Sequence, residues 1–253
     1  MRVELIPSSI PASDSQFLVS FLVNDAVAID AGSLGLLADL GRQEKVQHVF
    51  ITHEHLDHIA SLAIFLENVY RPGPDCVEVL GSQDVLNFLH RDIFNGRVWP
   101  DFFELSRPGN TFVSTTVLKL WQPVRRAGLT ITPVPVSHSV ETLGLVVDDG
   151  TAAVGFPSDT GPTEEFWRYL ATLPHLKAVF LEASFPASMS ALAAVTGHLC
   201  TQTFAAEHAK VPRNARSIVV HRKARFAAEI AREIAAHGLS GVEMVRAGYS
   251  YEF

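Results

Sequence analysis

Three histidines and an aspartate occur within six consecutive residues of this chain. They are His53, His55, Asp57 and His58. The apolar run 48–51 before them is typical of a buried strand, and the apolar segment 59–66 after them is typical of a helix. Imidazole and carboxylate groups are the ligands that zinc and similar divalent ions prefer. The sequence therefore predicts a metal site at a strand-to-helix turn, where α/β proteins commonly build their sites.

The spacing within residues 53–58, called the metal loop below, favours two ions rather than one. In an extended backbone His53 and His55 point to the same side, because side chains alternate with a period of two. Asp57 and His58 fall at the start of the helix, so the turn directs them to a second point nearby. Known two-metal sites hold their ions about 3.5–4 Å apart. The alternative interpretation is a polar loop that is rich in histidine by chance.

Three further candidates stand just beyond other apolar runs that are typical of strands. They are His138, Asp159 and His221. Strand ends from distant parts of a chain can converge at one edge of a sheet and assemble a site. Taken alone, His138 is compatible with a turn histidine and Asp159 with a capping turn. His221 precedes Arg222 and Lys223, so it is also compatible with a solvated basic face.

The elements that would position these residues are predicted from apolar periodicity and turn signals. Ser82 is a suitable N-cap for a helix running to about residue 90. Residues 34–40 predict a short helix that ends at Gly41. Residues 92–122 predict a less regular segment, whose aromatic side chains fit either a core or a surface that stacks on a nucleobase. Pattern and composition alone indicate an α/β or α+β fold.

Composition limits the classes of function. The 253 residues suit one domain, 47% of them are hydrophobic, and the net charge of −7 argues against a basic surface for long nucleic acid. The two cysteines, Cys76 and Cys200, make no disulfide framework and favour a reduced compartment. No apolar run approaches the ~20 residues that span a membrane, and residues 1–10 do not read as a signal peptide. We expect a cytoplasmic protein with no membrane partner, and a homodimer is compatible with the sequence.

The residue patterns of these motifs resemble those of a known family. The pattern His53-x-His55-x-Asp57-His58 resembles the signature of the metallo-β-lactamase superfamily. Four longer strings, at 53–61, 158–164, 181–186 and 197–199, resemble the class II 3′,5′-cyclic-nucleotide phosphodiesterases within it. Two departures are Val220, where the family usually has threonine before the last histidine, and Cys200, where it more often has threonine. The resemblance spans nearly the full chain and implies a single hydrolase domain, residues 1–253.

The resemblance implies a fold and a set of metal ligands. The fold would be a four-layer αβ/βα sandwich, with two facing β-sheets flanked by helices. The first ion would be held by His53, His55 and His138, and the second by Asp57, His58 and His221, with Asp159 bridging both. Asp30 and Glu182, each at a strand end, would support ligands or catalytic groups through hydrogen bonds, although Asp30 also fits a simple turn. We expect two zinc ions per chain, with manganese or iron as alternatives.

The resemblance also implies an activity. The protein would hydrolyse cyclic AMP or cyclic GMP to 5′-nucleotides through a metal-bridging hydroxide, with Asp57 and Asp159 holding the ions. His198 would protonate the leaving ribose oxygen or stabilise the charge that develops on it. The residues that bind the nucleotide cannot be named from the sequence. The alternatives are a ribonuclease Z-like nuclease, a thioesterase or lactonase of the same superfamily, and a non-catalytic module that binds nucleotide or metal.

A basic cluster near the end of the chain has two interpretations. Its members are Lys210, Arg213, Arg216, Arg222, Lys223 and Arg225. A solvated face is the simpler interpretation. Since Arg222 and Lys223 directly follow a proposed ligand, either one is also a candidate for contact with the substrate phosphate.

Overall fold

Short runs of branched apolar residues form most strands of the protein, and such runs suit strands that are buried on both faces. The computed structural model describes residues 1–9, 13 and 15–253. In that part of the chain the strands are β1 (Arg2–Leu5), β2 (Phe21–Val23), β3 (Val27–Ile29), β4 (His48–Phe50), β5 (Val77–Gly81), β6 (Val113–Val117), β7 (Val124–Arg126), β8 (Leu129–Pro135), β9 (Leu143–Asp148), β10 (Ala153–Phe156), β11 (Leu176–Glu182), β12 (Arg216–Val220), β13 (Val242–Met244) and β14 (Ser250–Glu252).

Short helices connect these strands. Within the described residues the α-helices are α1 (Leu40–Gln43), α2 (Leu56–Ile59), α3 (Leu62–Val69), α4 (Gln83–Phe88), α5 (Phe102–Leu105), α6 (Glu165–Leu170), α7 (Ser190–Thr196), α8 (Thr201–His208) and α9 (Ala227–Ala236). Three 3₁₀ segments span Leu34–Leu36, Ala187–Met189 and Ala224–Phe226, and a π-helical segment spans Leu89–Ile93. Among these helices none has the length and apolarity that crossing a bilayer requires.

The chain divides into two compact units. The first unit lies within Met1–Asp14, Leu18–Lys119 and Ala247–Glu252. Its sheet has the strand order β14-β1-β2-β3-β4-β5-β6. The pairs from β14 to β3 are antiparallel and those from β3 to β6 are parallel. The parallel half matters for function, because Asp30 follows β3 and the metal loop follows β4.

The second unit lies within Ser15–Phe17, Leu120–Arg246 and Phe253. Its sheet has the order β13-β12-β11-β10-β9-β8-β7, with parallel pairs from β13 to β10 and antiparallel pairs from β10 to β7. The ends of the parallel strands β10, β11 and β12 lead to Asp159, Glu182 and His221. The carboxyl ends of adjacent parallel strands lie at one edge of a sheet, so these three residues are brought together.

Each unit has its own core. In the first unit α3 buries Leu62, Phe65 and Leu66, which lie on one helical face at spacings of three and four residues. In the second unit α9 buries Ile230 and Ile234 by the same rule. These buried faces hold the helices against their sheets, and the strand ends that carry the polar residues are fixed as a consequence.

One local prediction was wrong and two are confirmed in part. Residues 34–40 do not form one helix that ends at Gly41. A 3₁₀ turn is followed instead by α1, which contains Gly41 and is capped by Asp39, whose carboxylate accepts the N–H of Arg42 at 3.3 Å. The segment 92–122 is irregular over most of its length, as predicted, but also contains α5 and β6. Ser82 does cap a helix, accepting the N–H of Val85 at 3.2 Å, but α4 ends at Phe88 and continues as the π-helical segment.

Most aromatic residues of the segment 92–122 pack in the core of the first unit, whereas Trp121 is exposed and belongs to the second unit. Phe94 and Phe102 are buried, and their ring centroids are 5.4 Å apart. Trp99 and Phe103 are partly buried against the same core. The packing favours the core interpretation of these aromatic side chains over the base-stacking one.

Candidate metal centre

The four predicted ligands of the metal loop lie close together in the first unit. His53 and His58 are buried, whereas His55 and Asp57 are half-buried. His53 Nε2 is 3.1 Å from His55 Nδ1, and the rings of His53 and His58 are 4.1 Å apart. His55 is the N-cap of α2, so Asp57 and His58 fall in its first turn, as the sequence predicted.

Asp30 fixes the two buried histidines of this loop. Its Oδ2 atom is 2.7 Å from His58 Nδ1. Both its oxygens accept from the Thr52 hydroxyl, and Oδ1 also accepts the Thr52 N–H at 2.8 Å. The Thr52 hydroxyl oxygen in turn lies 3.0 Å from His53 Nδ1. A carboxylate has no proton to give, and Thr52 gives its own to Asp30, so both Nδ1 atoms donate. The Nε2 atom of each histidine is then unprotonated, as a metal ligand must be, and that of His53 lies beside His55 Nδ1.

Gly32 lets the backbone beside Asp30 approach the metal loop closely. The Val19 N–H donates to the Asp57 carbonyl at 2.8 Å, and the Ala31 N–H donates to the His58 carbonyl at 2.7 Å. A Cβ atom on Gly32 would lie 1.9 Å from the Asp57 carbonyl oxygen and 2.7 Å from the Val19 nitrogen. No side chain fits there, so the position of the metal loop depends on this glycine.

In the second unit three of the predicted histidines surround the carboxylate of Asp159. That carboxylate is buried, and its Oδ2 atom lies 4.0 Å from His138 Nε2 and 3.9 Å from His198 Nε2. Its Oδ1 atom lies 3.4 Å from His221 Nδ1. The family resemblance assigns His138 and His221 to different ions and Asp159 to both. Within this unit, the central position of Asp159 agrees with that role.

Hydrogen bonds orient two of these histidines. His138 Nδ1 donates to the Gly197 carbonyl at 2.8 Å, which leaves its Nε2 directed to Asp159. Gly197 ends α7 with a φ of +67°, and a Cβ atom on it would lie 2.8 Å from the Ser139 nitrogen. Both its backbone conformation and its close packing therefore require glycine. The Ser184 hydroxyl contacts His221 twice, at Nδ1 (2.8 Å) and at the carbonyl oxygen (3.0 Å).

Glu182 holds His198. Its Oε1 atom is 2.8 Å from His198 Nδ1 and also accepts the Thr160 N–H at 2.9 Å. Two other backbone N–H groups donate to Oε2 at 3.2 Å. Burial by itself would lower the pKa of His198, but the hydrogen bond to Glu182 and the charges of Glu182 and Asp159 raise the pKa above the usual histidine value. His198 is thus a buried imidazole that favours carrying a proton, with Nε2 facing Asp159.

Three strand ends, one in the first unit and two in the second, have an unusual backbone. Asp30, Ser158 and His221 have positive φ values of 60°, 58° and 50°, although none is glycine. Each follows a parallel strand of its sheet. His221 is a ligand candidate, Ser158 precedes the candidate Asp159, and Asp30 supports two ligand candidates. Residues in this region cost about 1–3 kcal/mol each and tend to cluster at functional sites.

Two of the six members of the basic cluster pair with acidic side chains. Lys210 pairs with Glu207 and Glu164 at 2.7 Å, and Arg216 lies 3.3 Å from Glu243. The charge of Lys223 opposes protonation of His198, which indicates that the two side chains are near each other. A contact of Arg222 or Lys223 with the substrate phosphate stays a prediction.

Several residues that orient the candidate histidines were not predicted from the sequence. Thr52 links Asp30 to His53, Ser184 contacts His221, and the Gly197 carbonyl accepts from His138. Thr52 directly precedes the metal loop, so its position in the sequence could have identified it. Ser184 and Gly197 are 37 and 59 residues from the histidines they contact, and no spacing rule connects them.

The donor set fits divalent metal ions. His58 and His138 each donate Nδ1–H to an oxygen acceptor, which is how metal-binding histidines are usually held. Neutral imidazole and carboxylate oxygen together suit zinc, and also manganese or iron.

A family model described as a β-lactamase superfamily domain matches residues 29–222, which include every candidate ligand. The chain belongs to the metallo-β-lactamase superfamily. Two curated relatives of this superfamily member are named as cyclic-nucleotide phosphodiesterases. A probable 3′,5′-cyclic-nucleotide phosphodiesterase of Yersinia pestis is 26% identical over 194 residues, covering 66% of this chain and 54% of the relative.

The second relative is a 3′,5′-cyclic-nucleotide phosphodiesterase of Aliivibrio fischeri. It is 26% identical over 162 residues, covering 56% of this chain and 47% of the relative. The chain therefore spans about half the length of the curated relatives it matches.

Solved structures confirm the fold class. Unliganded yeast PDE1 superposes with a TM-score of 0.74 at 16% identity, over 98% of both chains. The short form of human tRNase Z, ELAC1, superposes with a TM-score of 0.70 at 15% identity, over 100% of this chain and 99% of the other. At these identities the similarity establishes the metallo-β-lactamase fold, with two mixed sheets flanked by helices, and does not choose between substrates.

Proposed function

We propose that this protein is a metal-dependent phosphodiesterase that hydrolyses 3′,5′-cyclic nucleotides to 5′-nucleotides. The observation that carries the proposal is the buried pair of Glu182 and His198 beside Asp159. Hydrolysis of a cyclic nucleotide breaks a bond between phosphorus and a ribose oxygen. That oxygen would leave as an alkoxide, which is a poor leaving group and needs a proton. An imidazole whose pKa is raised next to a metal-type carboxylate suits that need. The names of the curated relatives support the same substrate class.

The proposal combines the ligand sets of the two units in one centre. In the arrangement that the family implies, His53, His55 and His138 hold one ion, Asp57, His58 and His221 hold the other, and Asp159 contacts both. The family match supports this combination, because residues 29–222 contain all seven. When bound, the ions would supply a hydroxide near neutral pH and positive charge for the phosphate oxygens. Zinc is the proposed metal.

The chain's own residues have separate tasks in this scheme. Asp30 and Thr52 keep His58 and His53 in the tautomer that can bind metal. Glu182 orients His198 so that Nε2–H can give its proton to the leaving oxygen. A well-placed general acid of this kind contributes about 10²–10⁴ in rate.

A ribonuclease Z-like activity is the second candidate, and the superposition on human tRNase Z is the observation that favours it. The net charge of −7 weighs against it, because tRNA binding depends on neutralising many phosphates.

Turnover of defined substrates by protein of known metal content tests the proposal. Protein purified without chelators should contain two transition-metal ions per chain and hydrolyse cyclic AMP, cyclic GMP and a nitrophenyl phosphodiester. Cleavage of a labelled tRNA precursor without turnover of either cyclic nucleotide would favour the nuclease. Turnover of thioesters or lactones alone would favour the other superfamily hydrolases.

A further inference from the structure

In the described part of the chain, β6 is the last strand of the first sheet and pairs only with β5. Just beyond β6, the Leu118 N–H donates to the Gly81 carbonyl on β5 at 2.8 Å. Backbone groups alternate in direction along a strand, so those of Ser114 and Thr116 point to β5 as well. The N–H and C=O groups of the other three residues point to the open side of the sheet, and these residues are Val113, Thr115 and Val117. Such an open edge is a template for pairing with another strand.

The four strands at the ends of the two described sheets differ in length and charge. Three of them, β7, β13 and β14, have three residues each and carry charged side chains, namely Arg125 and Arg126, Glu243, and Glu252. Short length and charge are common ways in which proteins protect an exposed edge. Strand β6 has five residues, Val-Ser-Thr-Thr-Val, without a charge, a proline or a glycine. Among these four edges, β6 therefore has the least protection against pairing.

The side chains at this edge are accessible and neutral. Thr115 and Val117 are exposed. The acidic residue aligned with β6 on the neighbouring strand is Glu78. Its carboxylate accepts the Thr116 hydroxyl at 2.6 Å and lies 2.9 Å from His48 Nδ1. Glu78 is thus engaged within the sheet, and β6 itself has no charge that would repel an approaching strand.

We propose that β6 pairs with β6 of a second copy of this chain, antiparallel about a two-fold axis at Thr115, so that the two first sheets become continuous. The strand is self-complementary in this register, because Thr115 lies opposite Thr115 of the second copy and Val113 lies opposite Val117. These are the residues whose backbone groups point to the open side, so each opposed pair exchanges two hydrogen bonds. Pairs of threonine and of β-branched side chains also stabilise adjacent strands.

A second copy is favoured as the occupant because this edge matches itself. An axis at Ser114 or Thr116 would oppose backbone groups that point to β5, so an axis at Thr115 is the one that pairs the whole strand. The same symmetric pairing at β7 would place Arg125 opposite Arg125, and at β13 it would place Glu243 opposite Glu243. Like charges in that position destabilise a strand pair. A two-fold contact also closes on itself, so the dimer has no free β6 edge. The inference does not depend on the proposed activity.

Sedimentation velocity of the purified protein over a range of concentrations tests the dimer. The wild type should sediment with twice the mass of one chain and dissociate on dilution. Thr115→Lys and Thr115→Glu each place two like charges opposite each other at the axis, and each should weaken dimerisation about tenfold or more. An equimolar mixture of the two variants should regain the dimer, because unlike charges then face each other. Arg125→Glu, on edge strand β7 of the second sheet, is the matched control and should dimerise like the wild type.

A second pair of variants tests whether the contact is a backbone ladder. Thr115→Pro and Thr115→Val both remove the hydroxyl, but only proline removes the N–H that points to the open side. Proline is tolerated at such a position of an edge strand, because the hydrogen bonds to β5 remain. The proline variant should lose the dimer and the valine variant should keep it, and circular dichroism should show both to be folded.

Each part of the proposal has a result that would overturn it. A wild-type protein that stays monomeric at every concentration would overturn the dimer. Lysine and glutamate variants that dimerise like the wild type would overturn the assignment of the interface to β6. A mixture of the two variants that stays monomeric would overturn the axis at Thr115. Equal loss of the dimer in Thr115→Val and Thr115→Pro would overturn the backbone pairing.

Discussion

Replacing Asp30 by asparagine should show how strongly the metal loop depends on one hydrogen-bonding partner. The substitution keeps the shape of the side chain but replaces one acceptor oxygen with an NH₂ group. Three hydrogen bonds from Thr52 reach the carboxylate, two of them at Oδ1, so the amide oxygen would best remain on that side. The NH₂ group then faces His58 Nδ1, where the carboxylate now lies at 2.7 Å.

Two donors cannot share one hydrogen bond, so His58 must move its proton to Nε2 or turn away. In either case Nε2 is lost as a metal ligand. Replacing such a supporting group typically costs 10–100-fold in metal affinity, which corresponds to about 1.4–2.7 kcal/mol. The cost should fall mainly on the ion that His58 binds.

Competition with a chromophoric chelator measures the two affinities, and circular dichroism checks that the fold is intact. Asp148→Asn is a matched control, because Asp148 also pairs with a histidine, His175, at 2.8 Å, and neither residue is a ligand candidate. The control should bind both ions like the wild type. Unchanged affinity for both ions in Asp30→Asn would refute the tautomer argument.

Three further predictions concern other candidate residues. Gly32→Ala places a Cβ atom 1.9 Å from a carbonyl of the metal loop and should lower the melting temperature and the metal content. In the exposed control Gly41→Ala the Cβ atom meets only the Asp39 side chain, at 3.2 Å, so the melting temperature should change much less and the metal content not at all. Asp159→Ala should lose both ions by elemental analysis and His138→Ala chiefly one; an Asp159 variant with full metal content would contradict the bridging role. His198→Ala should keep both ions and lower kcat and kcat/KM together, more for a cyclic nucleotide than for a nitrophenyl phosphodiester. Loss of an ion in that variant would identify His198 as a ligand and remove the case for His221.

Much of the centre could be predicted because its residues obey local rules. The metal loop, Asp159 and His221 all follow apolar runs that are long enough to be recognised as strands, and they form clusters in their own units. The fold class was predicted through the resemblance of the motifs and not through periodicity, which indicated only a mixture of helices and strands.

The failures have physical causes too. Gly41 is a good helix terminator by propensity, but Asp39 two residues earlier caps a helix that runs through it. The contacts of Ser184 with His221 and of Gly197 with His138 depend on strand order and on a left-handed helix end. Such contacts join distant parts of the chain, and a pattern confined to neighbouring residues does not contain them.

The position of β14 has a consequence for how the protein is made. This strand pairs with β1, so that Val3 lies opposite Tyr251, although ribosomes produce the whole second unit between the two. Until Ser250–Glu252 leave the ribosome, β1 is the unpaired edge of the first sheet. An open edge of this kind can pair with another nascent chain and start aggregation. We therefore expect a released chain truncated after residue 246 to keep a folded second unit and to have an aggregation-prone edge in its first unit.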